Sequence, residues 1–246
     1  MPEIKGLLFD KDGTILDFYK TWVPINRDIA MEAAGGNFAL AAELLRAGGH
    51  DPETDIIAPG AVLAAAGVEA IAECFAEVLR ERAPADLLAI VIRNFRDGGG
   101  KYAELIEGAP DTLESLAADG YRIGLATNDT VDGLTASLGR FAGLARRFEF
   151  SYGCDSGYGA KPEPGMGLAF AAATGLAPAA CAIVGDSMHD LEMGRRAGFG
   201  LRVGVLTGSS RRQDLEPHAD LVLGSVLELR DAIAAWRPSR EAARAG

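Results

Sequence analysis

Two aspartates one residue apart, Asp10 and Asp12, follow the apolar run "GLLF" and precede a Gly-Thr pair. Like charges that close repel, and each raises the other's pKa, so stability alone gives little reason for them. Two more stretches put reactive residue types just past an apolar run, Thr127-Asn128-Asp129 and Gly185-Asp186-Ser187, with Asp190 one helical turn later, and Lys161-Pro162 lies past a further predicted strand. Acids, a lysine and a hydroxyl gathered on one rim are what phosphoryl transfer needs. A carboxylate can attack phosphorus and divide one hard displacement into two easier ones. Anion attacking anion requires a counter-charge, which Mg²⁺ supplies when carboxylates, substrate oxygens and water hold it. Asp10 and Asp186 suit that ion, with Asp190 in support. Asp12 is placed to protonate a leaving oxygen and later deprotonate water. Thr127 and the backbone N–H of Asn128 suit the transferring oxygens, and Lys161 offsets the charge that builds there. Strand alternation turns Lys11 away from this rim, and Gly13 permits a sharp turn beside a ligand.

The elements that must position these residues follow from the hydrophobic pattern. Strands are expected at Ile4–Phe9, Arg122–Thr127, Phe148–Gly153, Ala182–Gly185, Leu201–Leu206 and Leu221–Leu223. Helices between them are expected at Ala109–Asp119, Val131–Leu138, Met166–Ala173 and His189–Ala197. Strands alternating with helices imply an α/β fold with a parallel sheet covered on both faces, where ligands bind at the carboxyl ends of strands. The stretch from Asp17 to Arg96 holds no convincing strand and reads as several helices. Residues 61 to 79 are amphipathic, with Glu69, Glu73 and Glu77 drawing one wet stripe. Gly98-Gly99-Gly100 follows as a connector or hinge. The expected organisation is a core of 1–16 and 98–236, an all-helical cap over 17–97, and a flexible tail over 237–246.

Composition bounds the partners. The formal net charge of −11 argues against nucleic acid and against an anionic membrane surface, though not against a small anionic substrate neutralised by a metal. Hydrophobic residues at 48% and charged residues at 24% suit a soluble domain with a real core. Cys74, Cys154 and Cys181 are too widely and irregularly spaced for a zinc or redox site. They read as core-filling thiols in a reduced, cytoplasmic protein. His189 is expected at the edge of the site, Tyr19 and Trp22 as packing of a cap helix, and "TGSSRR" (207–212) as a mobile surface loop.

"DKDGT", "TN", "KP" and "GDSMHD", in this order, resemble the four motifs of the haloacid dehalogenase-like hydrolase superfamily. The likeness spans about residues 4 to 230 and is weakest in the insert. That insert resembles the helical cap of phosphoglycolate phosphatases and β-phosphoglucomutases. The resemblance implies a Rossmann-like parallel sheet core, Asp10 as nucleophile and Asp12 as general acid/base. It also implies a Mg²⁺ held by Asp10, the Asp12 carbonyl and Asp186. Asp12 sets the chain apart from the dehalogenase branch, which lacks that second acid. Lys20 is the only lysine between Asp17 and Gly100, which disfavours the branch that forms a Schiff base from the cap. A Mg²⁺-dependent phosphatase of small phosphorylated metabolites is the expectation, with phosphoglycolate or a sugar phosphate as substrate and a monomer or homodimer as assembly. A sugar phosphomutase is the alternative within the superfamily, and a catalytically silent phospho-ligand sensor the alternative outside it.

Overall fold

The computed structural model describes residues 3–236; the tail expected over 237–246 lies outside them. Six parallel strands form one sheet in the order β3-β2-β1-β4-β5-β6. They are β1 (Gly6–Phe9), β2 (Arg122–Ala126), β3 (Phe150–Tyr152), β4 (Cys181–Gly185), β5 (Leu201–Val205) and β6 (Leu221–Leu223). β1 lies between β2 and β4, with Phe9 opposite Leu125 and Val184. The chain thus leaves the middle of the sheet at Asp10, flanked by the ends of β2 and β4. Side chains alternate across the sheet: Leu7 and Phe9 enter one buried cluster, Leu8 the other. Both faces are therefore dry, and polar chemistry is confined to the strand ends.

The helices are α1 (Phe18–Ala33), α2 (Phe38–Ala47), α3 (Val62–Ala65), α4 (Val68–Leu79), α5 (Leu87–Tyr102), α6 (Ala109–Ala118), α7 (Val131–Gly139), α8 (Gly165–Thr174), α9 (Met188–Ala197), α10 (Arg212–Leu215) and α11 (Leu229–Ala235). Residues 18 to 95 bury their own apolar cluster, in which Trp22 meets Phe95 edge-on with ring centroids 4.7 Å apart. Within α4, Val68, Ile71, Phe75 and Leu79 are buried at helical spacing while Glu69, Glu73 and Glu77 stay exposed. The amphipathic stretch breaks at Ala66-Gly67 into α3 and α4.

The glycine triplet is a correction. It forms no connector: α5 runs straight through it to Tyr102. A Cβ on Gly98 would lie 2.6 Å from Ile25 Cγ1, and one on Gly99 would lie 2.5 Å from Ser137 Oγ. The missing side chains let α5 approach α1 on one side and α7 on the other, and this close packing outweighs the poor helix propensity of glycine. Gly100 is exposed and its nearest neighbour, Ala136 Cβ, is 3.9 Å from a built Cβ. Gly100→Ala is therefore expected to stabilise the protein by up to about 1 kcal/mol. Gly98→Leu, by contrast, should cost about 1–3 kcal/mol or more through overpacking. Chemical-denaturation midpoints of the two variants check this opposite pair of signs.

Candidate active site

Three of the predicted residues meet at one buried ammonium. Lys161 Nζ donates to Asp10 Oδ1 at 2.5 Å, to Asp190 Oδ1 at 2.6 Å and to the Ala126 carbonyl at 3.0 Å. It thereby joins the ends of β1 and β2 to the start of α9. Asn128 fixes the backbone that carries it, accepting the Lys161 N–H at 2.7 Å on Oδ1 and donating to the Lys161 carbonyl at 3.0 Å through Nδ2. The Asn128 side chain is thus spent on the Lys161 main chain. Asp190 reaches Lys161 because it also closes the N-terminus of α9. Its Oδ2 accepts the Ser187 N–H and hydroxyl at 3.1 and 2.7 Å, while Ser187 Oγ caps the Asp190 N–H. This reciprocal capping box leaves one Asp190 oxygen for the lysine.

Asp186 is seated by glycines. A Cβ on Gly208 would fall 1.7 Å from Asp186 Oδ2, and one on Gly13 would fall 2.8 Å from the same oxygen. Gly13 also adopts φ +80°, a conformation that costs other residues. Asp186 Oδ2 accepts the Ser209 N–H at 3.0 Å, and Thr207 Oγ1 donates to the Gly13 carbonyl at 2.6 Å. The 207–212 segment therefore differs from the expected surface loop: Ser209 and Ser210 are buried, and only Arg211 and Arg212 are exposed. The two arginines pair with Asp214 and Glu216, away from any anion site.

Lys11 departs from expectation too. It does turn from Asp10, but into the protein, where it is 1% exposed. Its Nζ lies 2.9 Å from both Asp12 Oδ2 and Asp129 Oδ2, and 5.8 Å from the centre of the Trp22 ring. Asp12 is held by one oxygen, and its Oδ1 is buried without a hydrogen-bond partner. Asp129 in turn accepts the Thr130 N–H at 2.8 Å and donates its own N–H to Thr127 Oγ1 at 3.1 Å. Lys11 and Asp129 were missed because alternation predicts only the side of the strand. The legible signals were the acid that ends "TND" just past β2 and a lysine set between Asp10 and Asp12.

Charge follows from this geometry. Burial pushes the Asp10 carboxyl up to about 7; Lys161 opposes the rise, and Asp190 and Asp12 add to it. Burial, followed by Asp10 and Asp190, raises Asp186 well above the usual carboxylate range. Burial alone would lower Lys161, yet Asp10 and Asp190 hold its pKa above normal, and Asp12 and Asp129 do the same for Lys11. Oxygens of Asp10, Asp186 and Asp190 lie within 4.8 Å of one another. A dry cluster of hard oxygen donors carrying surplus negative charge fits a divalent cation. Asp10, Asp12, Thr127, Asn128, Lys161 and Asp186 also line one cavity of about 70 Å³, lined on the other side by residues of the helical segment. Asp190 is not on its wall; it acts through Lys161 and Ser187. His189 lines the cavity from the first turn of α9, and Trp22 lines it while packing on Phe95.

A phosphoglycolate phosphatase of Nitrosococcus oceani is 28% identical over 64% of this chain and 68% of its own. An N-acetylmuramic acid 6-phosphate phosphatase of Pseudomonas aeruginosa is 26% identical over 94% of this chain and 95% of its own. Among solved structures, a predicted phosphoglycolate phosphatase from Haemophilus somnus superposes with a TM-score of 0.71 at 20% identity, covering 94% of this chain and 98% of that one. The family model of haloacid dehalogenase-like hydrolases matches residues 4–198, and the chain belongs to that family.

Proposed function

We propose that the protein is a Mg²⁺-dependent phosphatase that hydrolyses a small phosphomonoester through an aspartyl-phosphate on Asp10. The observation that carries this reading is the convergence of Asp10, Asp12, Lys161 and Asp186, from three separate chain segments, on one cavity at the carboxyl ends of β1 and β4. Relatives named as phosphatases across nearly the whole chain support it. The intact set of acids and lysine speaks against a silent phospho-ligand sensor. No helix of the described residues is long and apolar enough to cross a membrane, which is compatible with the cytoplasmic setting we propose.

Asp10 and Asp186, with the Asp12 carbonyl, would hold the metal, and Asp190 would keep Lys161 beside them. When bound, the cation supplies the counter-charge that lets a carboxylate approach a phosphate dianion. Thr127 and the Asn128 N–H would hold the transferring oxygens, and the Lys161 ammonium would offset their charge. An Asp10 oxygen forms a bond to phosphorus as the ester oxygen leaves. Asp12 gives that oxygen its proton through the carboxylate edge that Lys11 leaves free. The same carboxylate then takes a proton from water, whose oxygen attacks phosphorus and releases the Asp10 carboxylate.

Asp10→Asn should reduce phosphate release from an aryl phosphate to the level of a protein-free control. Lys161→Met should lower kcat by about 10²–10³, the range seen when one oxyanion-stabilising donor is removed. Phosphate release by wild type and both variants, with Mg²⁺ and with chelator, tests the reading; full activity of Asp10→Asn sinks it. Metal binding should also appear in stability. Asp10 titrates near 7 in the fold, well above a free aspartate, so between those values the folded state keeps a proton that the unfolded state has lost. The metal-free fold therefore loses stability as pH rises to about 7. Mg²⁺ needs the ionised carboxylate, so its gain in Tm should be larger above that pH than below it.

A further inference from the structure

The cavity has two chemically different walls. The core wall carries the acids and Lys161. The other is made by Phe18, Trp22, Leu63, Ile71, Phe95 and the Ala64–Ala66 run, whose side chains bear no charge. Their single side-chain polar atom is the Trp22 Nε1–H, buried without an acceptor. The backbone offers little more, because the N–H groups of Ala64, Ala65 and Ala66 already donate to Ala61 and Val62 carbonyls at 2.9 to 3.1 Å. The nearby N-terminus of α4 adds backbone N–H donors, and the one charged side chain in its first turn is the exposed Glu69. On the core wall the one lysine, Lys161, is matched by two carboxylates, and Lys11 behind it is matched by two more.

We infer that the alcohol released in the reaction is uncharged and largely apolar, with at most one weak acceptor for the Trp22 N–H. The inference rests on the phosphatase reading and narrows its substrate. With the phosphoryl group at Asp10 and Lys161, the remainder of the substrate must lie against the apolar wall. A carboxylate or a second phosphate placed there loses its water and meets no cation, an arrangement that carries a large desolvation cost. A sugar rich in hydroxyls meets, beyond the acids, the phosphoryl-binding residues and the Trp22 N–H, only Ser187 and His189 as side-chain partners, too few to replace its hydration. An alkyl or aryl group meets neither penalty and gains from burying its surface. Phosphoglycolate, whose carboxylate sits two bonds from the ester oxygen, is therefore disfavoured despite the names of the relatives.

The test compares phosphoglycolate with its methyl ester, two compounds that differ chiefly by one negative charge. Phosphate release by the full chain with Mg²⁺ should show kcat/KM for the ester higher by about tenfold or more. Ala65→Lys, at a half-buried position on the apolar wall, should narrow that ratio by giving the carboxylate a partner. Circular dichroism confirms that this variant is folded; the wild-type ratio stands whether or not it is. Equal or faster turnover of phosphoglycolate by wild type overturns the inference and leaves the phosphatase reading standing. A folded Ala65→Lys protein with an unchanged ratio also counts against the wall as the discriminating surface. Release from neither compound, when wild type also turns over an aryl phosphate no faster than Asp10→Asn, overturns both.

Discussion

Five carboxylates and two ammonium groups share the dry carboxyl edge of one sheet, and the surrounding structure is arranged around their mutual neutralisation. Lys161 holds Asp10 and Asp190; Lys11 holds Asp12 and Asp129. Asp186 has no lysine of its own and relies on a backbone N–H and on the absence of side chains at Gly13 and Gly208. Buried charge without partners costs far more than a fold can spare. Several elements that meet at this edge therefore contribute a partner. α9 begins with a capping box that spends one Asp190 oxygen on the helix and one on Lys161. The Asn128 amide holds the Lys161 backbone in place.

The two lysines divide the acids by task. Asp10 is paired with Lys161 inside the group that would hold a metal, so its charge is balanced where phosphorus would approach. Asp12 is tethered by one oxygen to Lys11 and keeps its second oxygen unpartnered. Two aspartates one residue apart thus end in separate electrostatic settings. That separation is the usual way for neighbouring carboxylates to take different roles in proton transfer and attack.

Much of this was legible in the sequence because strand ends carry their own signals. Asp10 and Asp186 each follow an apolar run that could only be a buried strand, and Lys161 lies in the loop past another, so their meeting on one rim followed from the parallel topology. The boundaries of β1 to β6 differ from expectation by at most two residues at either end. Lys11 was legible as facing away but not as buried, because alternation says nothing of what lies on the other side. The glycine triplet was misread because composition records flexibility, whereas the need for close approach to Ile25 and Ser137 exists only in three dimensions. The burial of Ser209 against Asp186 was hidden for the same reason: it joins residues 23 positions apart through a backbone donor. The helical segment gave up its amphipathic helix but not the apolar wall it turns toward the acids.

The central claim is that Asp10 becomes phosphorylated during turnover. The direct measurement is acid quenching of the enzyme within the first turnover of an aryl phosphate, followed by digestion and mass spectrometry of the peptide containing Asp10. The account predicts one added phosphoryl group on Asp10, removed by hydroxylamine and absent from Asp10→Asn. Phosphate release without any such adduct, or an adduct on another residue, would contradict it.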